Sequence, residues 1–199
     1  MDDAGITHIL HTMDELLSYD QSLFKVINYG WSNSFFDWLM PWLRNSTVWY
    51  PLYLLLLLLV TINFRKTGWW WVLFAAGTVI LTDFVSSTII KQNIFRLRPC
   101  HEPGFASWIQ VLVGYRPQSS SFTSSHATNH FGMAMFLYIT LRTHFKKWPA
   151  LFFFWAFSIS FAQVYVGVHY PVDIICGGLI GILIGYLSGK SFNKNYGLV

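Results

Sequence analysis

Charge is scarce in this 199-residue chain: 11% of it is Asp, Glu, Lys or Arg, against 54% apolar and 19% aromatic residues. Soluble domains carry roughly a quarter charged residues, so the shortage excludes an ordinary water-facing surface and points to a membrane protein. Cysteine is nearly absent. Cys100 and Cys176 lie far apart in unlike contexts with neither metal-ligand nor redox spacing, which predicts no disulfide and no metal centre. A basic leader is missing too, since Met1 to Gly5 carry Asp2 and Asp3 where a secretory signal carries Lys or Arg; no cleaved signal is expected. Thirteen basic against nine acidic residues give a net charge of +4, yet the cations sit at the ends of apolar segments and form no patch, which argues against nucleic acid as a partner. The chain has no repeat and no low-complexity tract.

What is there is apolar length. Five stretches approach the roughly 20 residues that a spanning helix needs: Val48 to Phe64, Trp69 to Ile90, Ala127 to Thr143, Pro149 to Val166 and Val172 to Ser188. The last spaces Gly177, Gly181 and Gly185 four apart, so one face can approach another helix backbone closely. Leu17 to Arg44 mixes Phe24, Trp31, Phe35, Phe36, Trp38 and Trp42 with Asp20, Lys25 and Asp37, which suits short amphipathic helices in the bilayer interface. The expectation is an all-α integral membrane bundle forming one domain. Residues 1–46 are an interfacial segment, 47–190 a core of five transmembrane helices, and 191–199 a cytoplasmic tail.

If the five spans alternate, Arg65 with Lys66, Arg142 with Lys146 and Lys147, and Lys190 with Lys194 fall on one side, which the positive-inside rule makes cytoplasmic. The other side receives the loop Lys91 to Ser125 and the turn Gly167 to Pro171. That loop holds Lys91, Arg96, Arg98 and Arg116 against the charge rule, so these cations need another reason to be exported.

A phosphate site supplies one, in three pieces. Lys91 and Arg98 are seven residues apart, two helical turns, and share a face if the helix runs on to Pro99; a guanidinium fork and a point charge together suit a dianion. Ser124, Ser125 and His126 precede an apolar helix, where first-turn amides favour an anion, a Ser hydroxyl adds a donor and His126 is placed for proton transfer. Pro171 suits the first turn of the last helix and sets Asp173 beside His169, where a carboxylate on one ring nitrogen fixes the tautomer and leaves the other free to attack. Each piece also has a plain reading: headgroup contact, an ordinary N-cap, or a first-turn acid favoured by the helix dipole. Their arrival at one side of the membrane, on different helix ends, favours the site. His130, one turn after His126, reads as packing.

These residues resemble the signature of the type 2 phosphatidic acid phosphatases, or lipid phosphate phosphatases: Lys, six residues, Arg-Pro; Pro-Ser-Gly-His; Ser-Arg, five residues, His, three residues, Asp. Here they read Lys91 to Arg98-Pro99, Thr123-Ser124-Ser125-His126, and Ala162-Gln163 to His169 and Asp173, and the resemblance covers Trp69 to Ser188. It implies a helical bundle without metal or other cofactor. His169 would be the nucleophile, Asp173 its orienting group and His126 the acid for the leaving oxygen, with Lys91, Arg98, Ser124 and the amides near Ser125 and His126 on the phosphoryl oxygens. Family members usually have six spans, and here the first would be missing.

The departures fall at Thr123 for Pro, Ser125 for Gly, Ala162 for Ser and Gln163 for Arg. The last removes a charge from the phosphate site, for which Arg116 and Arg96 are the candidate replacements. Asp83, inside the second span, reads as a structural acid that steadies the helix end through Ser87 or a neighbouring hydroxyl, with a functional role as the alternative. The resulting expectation is a lipid phosphatase of a bacterial cytoplasmic membrane, acting at the extracytoplasmic face through a phosphohistidine. Its partners are the bilayer and a lipid phosphate or diphosphate such as polyprenyl diphosphate or phosphatidylglycerol phosphate. A lipid phosphotransferase using the same intermediate and a catalytically impaired lipid-phosphate binder, motivated by Gln163, are the alternatives.

Overall fold

The computed structural model describes residues 3–198, so the leader reading at Met1 and Asp2 lies outside the described residues. Those residues contain helices and loops and no strand. Helix α1 (Asp3–Lys25) runs through a π-turn into α2 (Ser34–Arg44), whose start is fixed by Asn33 accepting hydrogen bonds from the amides of Phe35 and Phe36. Then come α3 (Tyr50–Asp83), a π-helical stretch Phe84–Ile90, the single turn α4 (Lys91–Asn93), α5 (Ser125–Phe145), α6 (Leu151–Tyr165) and α7 (Pro171–Asn195).

Three helical stretches are long and apolar enough to cross a membrane: Ser46–Asn93, Trp148–Tyr165 and Pro171–Asn195. The first does not run straight. Arg65 adopts φ 47° and ψ −119°, which breaks the helical path. A side chain at Gly68 would meet the backbone of Val60 and Thr61 at 2.5–3.0 Å. Eight residues of straight helix would hold those positions about 12 Å apart. The chain therefore doubles back at Arg65, between the first two apolar stretches of the sequence.

Two packing features carry the site. A Cβ on Gly181 would collide with the carbonyl of Thr128, and one on Gly185 with that of Gly132, so α7 lies directly on the backbone of α5. At one end of the bundle the ring of Phe64 meets His144 at 5.0 Å, Trp70 stacks on Tyr196 at 4.6 Å, and the His144 ring bonds the carbonyl of Leu198. Arg65, Lys66, Lys146 and Lys147 are exposed at this end. The opposite end gathers the loop 94–124 and the turn between α6 and α7.

The N-terminal segment is docked there. Phe24 is fully buried against Phe105 and Tyr170, and Asn28 bonds the carbonyls of Gln110 and Tyr165, both at 2.7 Å. Its outer face leaves Leu16, Tyr19, Trp31, Trp38 and Trp42 exposed, the amphipathic pattern expected of it. Helix α7 continues to Asn195, with Phe192 buried against Phe74 and Phe136.

Candidate active site

Three pieces of chain meet at the loop end of the bundle. His169 sits in the turn between α6 and α7, 3% exposed, its backbone amide bonded to the carbonyl of Gln163. Asp173 is fully buried in the first turn of α7, where its Oδ2 accepts from the Tyr170 amide at 2.9 Å, a capping bond that Pro171 leaves open. The same oxygen lies 3.5 Å from His169 Nδ1 and accepts from the Ser121 hydroxyl at 2.5 Å. The network assigns the ring proton to Nδ1 and leaves a lone pair on Nε2. Arg98 Nη1 stands 3.1 Å from that nitrogen. Burial, foremost, and the charge of Arg98 push the His169 pKa down to about 4 against the pull of Asp173, so the ring is neutral at pH 7.

Arg98 is held for this task. Nε donates to the carbonyl of Ser119, Nη1 to that of Val168, and Nη2 to the Ser119 hydroxyl and the Ser120 carbonyl. Neutral carbonyls fix the guanidinium without cancelling its charge. Arg96 contrasts with it. Nη1 bonds Asp173 Oδ1 at 2.7 Å, Nη2 bonds Asp20 at 2.5 Å, and the group lies 4.1 Å above the Tyr170 ring. Its charge is committed to two carboxylates, which corrects the expectation of Arg96 as a replacement for the charge missing at Gln163. Arg116 is exposed and makes no side-chain hydrogen bond among the described residues.

The chain does not keep Lys91 and Arg98 on one helix, as the seven-residue spacing would have had it. Helix α4 ends at Asn93, and Ile94 and Arg98 are extended. The Ser120 hydroxyl explains the break, since it accepts from the Arg96 amide at 3.0 Å and donates to the Ile94 carbonyl at 2.8 Å, replacing the helical ladder. Lys91 is half-buried, and its charge acts on His126 and His169 as that of Arg98 acts on it.

Ser124 caps α5, its Oγ accepting from the Ala127 amide at 3.4 Å, and its own amide bonds the Asp173 carbonyl at 3.1 Å. The close α5–α7 contact thus joins the second piece to the third. The cap leaves the amides of Ser125 and His126 available. The Ser125 hydroxyl is engaged elsewhere, by Ser86 at 2.6 Å and Ser87 at 3.0 Å. Asp83 accepts from Ser87 at 3.1 Å and from Asn129 at 3.2 Å. His126 is half-buried at the start of α5; burial, then the charges of His130, Arg44, His169 and Lys91, push its pKa down to about 3. His130 packs edge-on against Trp155 at 4.9 Å.

His126 opens on a cavity of about 390 Å³ that also holds Arg44 and Tyr115. Ser46 borders both this cavity and an apolar groove of about 480 Å³ lined by Tyr53, Leu56, Trp71, Met133 and Leu137. Gln163 is fully buried, its Oε1 3.3 Å from Arg44 Nε. The residues that sequence reasoning passed over are therefore Asp20, Arg44 and the polar run Ser119 to Ser121. The run Gln118 to Ser121 in an otherwise apolar chain was the available signal; Asp20 and Arg44 carried none.

The profile of the PAP2 superfamily matches residues 68–196. The chain is 33% identical over 179 residues to the lipid A 4'-phosphatase of Bacteroides thetaiotaomicron, covering 88% of this chain and 78% of that protein. It is 31% identical to the undecaprenyl-diphosphatase of Sulfolobus acidocaldarius, covering 88% and 79%. The crystal structure of LpxE from Aquifex aeolicus superposes with a TM-score of 0.59 at 26% identity, over 85% of this chain and 94% of that one. A PAP2-type phosphatidylglycerolphosphate phosphatase from Bacillus subtilis shares the fold, with a TM-score of 0.62 at 21% identity over 90% and 87%.

Proposed function

Because this integral membrane protein belongs to the PAP2 superfamily, we propose that it hydrolyses a lipid phosphate by way of a phosphohistidine on His169. The observation that carries the reading is the two-sided hold on that ring: a carboxylate at Nδ1 and, at Nε2, a guanidinium fixed by backbone carbonyls. The lone pair of Nε2 attacks phosphorus as the bond to the lipid oxygen breaks, and His126 gives that oxygen its proton. Lys91, Arg98 and the α5 amides meet the charge on the three phosphoryl oxygens. Water then attacks the phosphohistidine, neutral His126 takes its proton, and inorganic phosphate leaves with His169 restored.

His126 must be protonated at the first step, and a dianion between it, Lys91 and Arg98 is what would reverse the push on its pKa. The apolar groove beside the cavity suits the acyl or prenyl chain of the substrate. The relatives named above favour a lipid A-type sugar phosphate, with polyprenyl diphosphate next. Release of inorganic phosphate from purified protein offered both, together with phosphatidylglycerol phosphate, tests the reading; release from none of them would contradict it.

The topology is part of the proposal. Five spans follow if the two arms of α3 cross separately and α5 crosses with α6 and α7, and the exposed cations at Arg65, Lys66, Lys146 and Lys147 then mark the cytoplasmic end. The site faces the other compartment. A cysteine introduced at exposed Gln118 should react with an impermeant maleimide in right-side-out vesicles, and one at Lys146 should not; the reverse pattern would overturn the orientation.

A further inference from the structure

Resting on that reading, we infer that Arg44, contributed by the N-terminal segment, binds a phosphoryl oxygen of the substrate jointly with the amide of Gln163. Gln163 is fully buried in α6, and while its Oε1 accepts from Arg44, its Nε2 has no partner among the described residues. Buried amide donors are rarely left idle, because nothing repays their lost hydration until an acceptor arrives. A phosphoryl oxygen is such an acceptor.

Arg44 has donors to spare as well. Of its five N–H groups one goes to Gln163 and one, at 3.4 Å, to the hydroxyl of Tyr115, over whose ring the guanidinium lies at 5.8 Å. The other three have no acceptor among the described residues. The group lines the same cavity of about 390 Å³ as His126, and its charge reaches both His126 and Arg98. Lys91 and Arg98 are already assigned to the phosphoryl oxygens, Arg96 is bonded to two carboxylates, and exposed Arg116 lines no part of that cavity, so among the described residues Arg44 is the cation that lines it.

The position of Arg44 is built into the fold. The Tyr165 hydroxyl donates to Asp37 at 2.7 Å and accepts from the Asn33 amide at 3.3 Å, which clamps α2 onto α6. Asp37 and Arg44 are two helical turns apart and share a face of α2, and the last turn of α6 meets both of them, Tyr165 at Asp37 and Gln163 at Arg44. The two contacts fix that face of α2 near both of its ends. A residue with no charge of its own thus holds a guanidinium fork at the mouth of the site, and the two present donors to one oxygen.

The test uses purified full-length protein, with orthovanadate binding and turnover on a lipid phosphate measured side by side. Arg44→Ala should weaken orthovanadate binding at least about tenfold and lower kcat/KM by a similar factor, with Arg44→Lys between it and the parent. Gln163→Arg in the Arg44→Ala background should bring both back to within about threefold, since it returns a fork to the same place; this recovery also shows that the first loss was not misfolding. Unchanged orthovanadate affinity in Arg44→Ala, a loss that Gln163→Arg fails to recover, or no binding by the parent protein would each overturn the inference. Binding that depends on Arg44 in a protein that releases phosphate from no lipid would leave the inference standing and remove the hydrolase reading.

Discussion

The two ends of the bundle both carry cations and treat them in opposite ways. At one end Arg65, Lys66, Arg142, Lys146, Lys147, Lys190 and Lys194 are exposed and have no acidic partner among the described residues; Arg142 and Lys190 rest on Tyr138 and Tyr186. At the other end Arg98 is buried, Lys91, Arg96 and Arg44 are partly so, and three of the four are tied by hydrogen bonds. Exposed charge is screened and interacts weakly, so the first set can orient the chain in the membrane without acting on a substrate. Charge held in a dry, fixed frame acts strongly on whatever anion enters, which is what phosphoryl transfer needs. Burial separates the two uses of one residue type.

The sharpest way to break the contrast is at the buried end. His169→Ala should lower turnover by at least about 1,000-fold, because the attacking nitrogen goes with it. Arg98→Ala should cost about 100- to 1,000-fold in kcat with thermal stability little changed, since it gives up a fixed donor on the developing charge. Steady-state kinetics on one lipid phosphate measure both; retention of a tenth of the parent rate in either would contradict the assignment.

Arg96→Ala should behave differently, because Arg96 is a positioning residue. It strands the buried carboxylates of Asp20 and Asp173, so the melting temperature should fall, and kcat should drop roughly 10- to 100-fold as Asp173 loses its hold. Equal stability in the variant and the parent would show that the Arg96 bridge is not what fastens α1 to the site.

A pH profile gives a smaller effect with a definite sign. His169 must be neutral to attack, and its pKa is pushed below the ordinary histidine value to about 4, so the acid limb of kcat/KM should lie near pH 4 and not near 6.5. The same shift is a stability statement. Between pH 6.5 and 4 the unfolded chain binds a proton that the folded one excludes, so this contribution to stability is present above pH 6.5 and is lost as pH falls toward 4. An acid limb at 6.5 would mean that the ring is hydrated in the working enzyme.

At the exposed end almost nothing should happen to chemistry. Lys146→Ala with Lys147→Ala should leave kcat/KM within about twofold, and so should Arg116→Ala, exposed in the loop near the site. A tenfold loss from either would erase the distinction between orienting and binding cations.

Much of this was legible in the sequence because helices announce their ends. The five apolar stretches coincide, to within two residues where they overrun a helix, with the arms of α3 with its π-turn and with α5, α6 and α7, and the pairs His169–Asp173 and Ser124–His126 are each set by one helix terminus. The four-residue spacing of Gly177, Gly181 and Gly185 announced a close helix–helix approach without saying which helix would make it, and the partner is α5. What was not legible depends on contacts far apart in the chain. Ser121 meets Asp173 across 52 residues, Arg96 meets Asp20 across 76, and Arg44 meets Gln163 across 119. No local periodicity encodes such pairs. The Lys91–Arg98 spacing misled for the same reason, since Ser120, a residue distant in sequence, unwinds the segment between them.

The most direct measurement is a rapid acid-free quench of the purified enzyme turning over a lipid substrate labelled in its phosphate, followed by identification of the labelled residue. The labelled species should be an acid-labile, base-stable phosphoprotein with the label on His169, absent from His169→Asn and still formed by Lys146→Ala. Label on another residue, or sustained turnover by His169→Asn, would contradict it.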